Sequence, residues 1–149
     1  MRAVVQRVTM AEVRVGERVT GAIRAGLLVL VGAHRADTAA DVSWLADKLV
    51  NLRIFEDSQG LMNRSIMDTG GEMLIVSQFT LLGDCRKGRR PSWSTAAKPE
   101  MARDLYLQLV AAVGGHGIRT ATGEFQAMMA VQLVNDGPVT VLLDSQKSF

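Results

Sequence analysis

The chain has 149 residues, 48% of them hydrophobic, a formal net charge of +2 and one cysteine, Cys85. That length fits a single domain with a substantial core, and one cysteine excludes an internal disulfide. The small net charge excludes a uniformly basic nucleic-acid binder, so any attraction to phosphate has to come from local clusters of arginine and lysine.

In chain order, residues 2–8 and 12–23 alternate as strands, with Gly16-Glu17 as a hairpin turn. GLLVLVG, 26–32, reads as a buried strand. Asp37 is the expected N-cap of an amphipathic helix over 38–51, in which Val42, Leu45, Ala46 and Leu49 recur at helical spacing. RIFED, 53–57, returns as a short strand. Gly70-Gly71 precede an apolar strand over 72–82, and the polar stretch 83–99 has no hydrophobic period and reads as an ordered functional loop. Pro99 opens a second helix whose Met101, Leu105, Leu109 and Val113 share a face until Gly114-Gly115. From Gly117 onward the pattern is strand. The sum is one α+β domain, 1–149, with a mostly antiparallel sheet and two amphipathic helices.

Secretion and membrane insertion are not expected. MRAVVQRV lacks the continuous apolar core of a signal peptide, and the longest apolar run, 27–31, is too short to span a bilayer. The expected location is the cytoplasm.

Four stretches can carry chemistry. In VSQFTLL, strand alternation puts Gln78 and Thr80 on one face, Ser77 and Phe79 on the other. Thr80 is then a hydroxyl aimed at a reacting carbonyl, with backbone N–H groups near Gln78 to Thr80 as oxyanion donors; alternatively, the strand simply frays into a polar loop. A threonine nucleophile needs a base, yet His34 and His116 are far apart in sequence and form no triad pattern, and no metal-ligand spacing occurs. CRKGRR gathers Arg86, Lys87, Arg89 and Arg90 shortly before Trp93: cations for phosphates and a ring for stacking, or a solvated basic turn. In QAMMAVQLV, Met128 and Met129 are adaptable fillers of core or pocket. Asn135-Asp136-Gly137-Pro138 carries more turn chemistry than chain reversal requires, the mark of a purposely shaped backbone.

MRAVVQRV at the start, NLRIFED at 51–57, SQFTL at 77–81, GRRPS at 88–92 and NDGPVT at 135–140 together resemble the D-aminoacyl-tRNA deacylases, across essentially the whole chain. The resemblance implies a homodimer with a β-barrel-like fold that hydrolyses the ester between a D-amino acid and the 3′ end of tRNA, without a cofactor. It implies that Ser77, Gln78, Phe79 and Thr80 form the catalytic floor, and that Gly137-Pro138 is cis and reaches the partner's active site. Arg7 near that loop, with Gly137, Pro138 and Met129, makes up the implied substrate-binding set, and Arg86, Lys87, Arg89 and Arg90 the tRNA-binding set. Main-chain carbonyls beside the substrate's α-carbon would exclude L side chains sterically and discriminate poorly against glycine. The substrate's own 2′-hydroxyl would stand in for the missing base, whether Thr80 attacks or positions. One position departs from the family: Phe125 is followed by Gln126 where glycine is usual.

Overall fold

The computed structural model describes all residues, 1–149. β1 (Arg2–Val15) is one long strand rather than the two expected. One of its edges pairs antiparallel with β3 (Gly26–Gly32) through residues 2–8 and with β2 (Arg18–Ile23) through 11–15. Along its other edge runs β8 (Ala130–Asp144). β3 then continues into β6 (Glu72–Ser77) and β7 (Thr120–Thr122), both added in parallel, so the sheet is mixed. Parallel neighbours need crossover connections, and helices supply them. The path β2-β1-β3-β6-β7 curls until Gly21 of β2 lies against Thr122 of β7, which makes the sheet a nearly closed barrel.

Both faces of this sheet are covered, which is why β3 reads as an unbroken apolar run. Leu27, Val29 and Val31 of β3, with Met73 and Ile75 of β6, point into a large core shared with the helices. Leu28, Leu74 and Val76 point the other way, into a smaller core inside the curl with Val8, Ala11, Val13 and Ile23.

α1 (Ala39–Asn51) buries Val42, Leu45, Ala46, Leu49 and Val50. Its N-cap is Thr38, not Asp37, and the Thr38 backbone N–H donates to the Asp41 carboxylate at 2.8 Å. Asp37 is turned inward instead, where it accepts from the Met1 ammonium at 2.7 Å with both groups buried. α3 (Pro99–Gly115) starts on its proline and buries Leu105, Tyr106, Leu109 and Val113 against the same core. Between β3 and β6 the expected strand 53–57 shrinks to β4 (Phe55–Glu56), paired with β5 (Met62–Arg64). A third, four-residue helix, α2 (Ile66–Thr69), was not apparent in the sequence; it is too short for a periodic stripe. No helix is long and apolar enough to cross a membrane.

Candidate active site

The strand expected over 72–82 stops at Ser77, and this break creates the site. The Gln78 N–H still donates to the Val31 carbonyl at 2.7 Å, after which Phe79–Leu82 wind into a 3₁₀ turn. Gly32 permits the wind. A Cβ there would sit 2.6 Å from Leu82 Cδ2 and 2.7 Å from the Gln78 carbonyl oxygen, so only a bare Cα lets the turn close over the end of β3. Strand alternation therefore does not sort residues 77–80, and the expected two-face arrangement is replaced by a turn whose first groups face outward.

Two consequences are chemical. The Gln78 N–H is already spent on Val31 and is not a free donor, whereas the N–H groups of Phe79 and Thr80 have no acceptor in the chain. Unpaired donors at the start of a helical turn suit a developing negative charge. The Gln78 side-chain amide donates to the Thr80 hydroxyl oxygen, which fixes the two side chains relative to each other. No histidine joins them: neither His34 nor His116 lines the adjoining cleft.

That cleft encloses about 740 Å³. Ser77, Gln78 and Phe79 contribute from one side, the 125–129 segment including Met129 from another, and Trp93 to Ala102 from a third. Thr80 sits at its edge, exposed, rather than in its lining. Most of the lining is apolar. Phe79, 58% exposed, meets Trp93 edge-to-face with ring centroids 5.8 Å apart. Deeper in, the buried Tyr106 hydroxyl donates to the Ile75 carbonyl at 2.7 Å, and burial pushes its pKa up to about 12. Gly32, Tyr106 and Phe125 were not among the expected site residues. Tyr106 neighbours Leu105 on the buried helix face, so its sequence signal was that of core.

The basic loop is pinched shut at its base by two backbone hydrogen bonds of 2.8 and 3.0 Å between Asp84 and Ser92. Its four cations are not equivalent. Arg86 is folded back on Asp84 through Nε at 2.9 Å and a second guanidinium nitrogen at 2.6 Å, which holds the Asp84 carboxyl well below its usual range. Lys87, Arg89 and Arg90 are exposed and outside every ion pair of the chain.

Arg7, Gly137 and Pro138 gather elsewhere. β8 pairs Asn135 with Val8 and Thr140 with Gln6, so the four residues 136–139 stand opposite Arg7 alone and bulge from the sheet. The bulge is closed at its neck by the Asn135 amide, which donates to the carbonyls of Arg7 and Val139 at 2.9 and 3.0 Å. Gly137 has φ +115° and its peptide to Pro138 is cis. A Cβ on Gly137 would lie 2.8 Å from Val139 Cγ2 and 3.2 Å from an Arg7 guanidinium nitrogen. The Arg7 side chain is buried beneath: one terminal nitrogen donates to the Ile54 carbonyl at 2.7 Å, and the other lies 3.9 Å from Glu56. Its Nε is 2.9 Å from Asp136 Oδ2 but without hydrogen-bond alignment, so that contact is an ion pair only. Gly137 and Pro138 are exposed and do not line the cleft of their own chain.

Comparison with known proteins agrees along the whole length. A curated D-aminoacyl-tRNA deacylase of Desulfitobacterium hafniense is 61% identical over 149 residues, and one of Clostridioides difficile 57%, each match covering 100% of both chains. A solved structure described as a c-Myc DNA unwinding element binding protein superposes with a TM-score of 0.91 at 40% identity, covering 97% of this chain and 98% of that one. Another, titled as a probable eukaryotic D-amino acid tRNA deacylase, superposes at 0.80 with 17% identity, covering 95% of this chain and 97% of that one, and speaks for the fold alone. The family model described as D-Tyr-tRNA(Tyr) deacylase matches residues 4–144, and the chain belongs to that family.

Proposed function

We infer that this chain hydrolyses the ester of D-aminoacyl-tRNA, releasing free D-amino acid and tRNA. The observation that carries the reading is the unspent N–H pair of Phe79 and Thr80 beside a largely apolar cleft, in a chain of this family. Water adds to the ester carbonyl, the carbonyl oxygen takes up negative charge against those donors, and the 3′-oxygen of the ribose leaves with a proton. An aminoacyl ester is activated enough to need little more than orientation and oxyanion stabilisation. The adjacent 2′-hydroxyl supplies the proton relay that no histidine of the cleft provides, and Thr80, tied to the Gln78 amide, positions.

The active assembly in this reading is a homodimer in the cytoplasm. The support is geometric: Gly137-Pro138 is exposed and outside its own cleft, and one sheet face carries a row of opposed apolar residues, Leu142, Val4 and Leu30, none of them fully buried and Leu142 57% exposed. A second copy placed on this face covers the row and brings its Gly137-Pro138 carbonyls to the neighbouring cleft, where they exclude L side chains. Glycine has no side chain to exclude, so glycyl-tRNA is hydrolysed as well. Lys87, Arg89 and Arg90 hold the acceptor-end phosphates.

A second reading, nucleic-acid binding without hydrolysis, is favoured by one observation, the description of the similar solved structure as a DNA-binding protein. Incubating the purified protein with matched D- and L-aminoacyl-tRNA separates the two. Ester loss confined to the D substrate supports hydrolysis, and retention of both esters despite tRNA binding supports the second.

A further inference from the structure

Only two residues other than glycine adopt positive φ in this chain, Gln126 at +63° and Lys147 at +52°. Lys147 lies in the exposed C-terminal tail. Gln126 lines the cleft, at the third position of a β-turn closed by the Ala127 N–H donating to the Glu124 carbonyl at 3.2 Å. A turn with positive φ at that position favours glycine or asparagine; a glutamine there is strained and gains nothing locally. Neighbouring contacts do not account for it, since the Gln126 carboxamide has no hydrogen-bond partner in the chain. The other polar groups of the lining are largely committed: the Gln78 amide to Thr80, the Tyr106 hydroxyl to Ile75. An exposed amide at the rim of a mostly apolar cleft, set there against backbone preference and free of protein partners, is available to a bound ligand.

Resting on the reading of this cleft as the active site, we propose that Gln126 is a specificity-determining residue whose carboxamide hydrogen-bonds the aminoacyl-ribose end of the substrate. A carboxamide offers one acceptor and two donors, so it suits either of the two polar groups flanking the ester, the α-ammonium or the ribose 2′-hydroxyl. The strain is retained because the side chain binds substrate.

The test compares Gln126→Gly and Gln126→Asn with the parent chain. Thermal melting is measured beside steady-state kinetics and the affinity for a non-hydrolysable D-aminoacyl-adenosine joined through a 3′-amide. Gln126→Gly melts a few degrees higher, as relief of strain requires, while KM and the analogue's Kd rise about fivefold and kcat stays within about twofold, the pattern of a lost binding contact. Gln126→Asn, which tolerates the left-handed turn and keeps the amide, recovers part of the affinity. Analogues lacking the 2′-hydroxyl or the α-amino group identify the partner, because the glycine substitution has no effect on the one missing it. A glycine variant that binds as tightly as the parent, that melts lower, or that weakens both truncated analogues equally overturns the proposal. Phe79→Ala serves as the control for the cleft: if it leaves analogue affinity unchanged, the assignment of the active site fails instead.

Discussion

Thr80 and Tyr106 both carry hydroxyls near the cleft, and their partners separate what each does. Thr80 Oγ1 is exposed and receives only the Gln78 amide, with no base beside it. If it positions, Thr80→Ala loses about one hydrogen bond, about 1 kcal/mol or about fivefold in kcat/KM, measured on D-aminoacyl-tRNA. Loss of all turnover would make it the nucleophile. Tyr106 is buried, and its raised pKa is an energetic statement. Between pH 10 and about 12 the unfolded chain has lost the phenolic proton while the folded chain still holds it. Stability is therefore unaffected below this window and falls as pH rises through it, by about 3 kcal/mol in all. Tyr106 is the only tyrosine, so tyrosinate absorbance reads its titration directly. The expected midpoint is near 12, and one near 10 would show the ring to be wet. Of these two, Thr80 was visible in its motif; Tyr106 was not, because a buried aromatic on an amphipathic helix has the pattern of core whether or not it also walls a cleft.

At the scale of elements, the segment 77–82 holds the sharpest difference between pattern and fold. Its alternating residues describe a strand, but periodicity cannot register the bare Cα of Gly32 on a neighbouring strand, which admits the 3₁₀ turn that frees two N–H groups. α1, α3 and β3 were legible because burial imposes a period on them; β4 was read too long, and β5 and α2 were missed, because so few residues hold no period. Composition alone likewise made the four cations of 86–90 equal, whereas Arg86 is paired with Asp84 and the other three are unpaired. Replacing Lys87, Arg89 and Arg90 together by glutamine therefore weakens tRNA binding and lowers the slope of log affinity against log salt by about 2. Arg86→Gln, tested alone, leaves that slope nearly unchanged. A triple variant with the parental slope would place the phosphates elsewhere.

At the scale of the molecule, the barrel and its two cores follow from strands buried on both faces, but the closure does not: it depends on β2 meeting β7, a contact between segments a hundred residues apart by order of magnitude. The apolar row Leu142–Val4–Leu30 leads to a prediction at this scale. Leu142→Arg places charge on the proposed contact face while leaving the cleft untouched. The variant sediments as a monomer, stays folded and loses D-aminoacyl-tRNA hydrolysis; full activity as a monomer would refute the shared site. Gly137-Pro138 is exposed and does not line the cleft of its own chain, so in the proposed dimer neither subunit owns a complete reaction centre. One chain with a ruined cleft and another with a ruined loop are each inert alone. Mixed and allowed to exchange, they form hybrids in which the sound cleft of one faces the sound loop of the other, and about a quarter of all sites return to work.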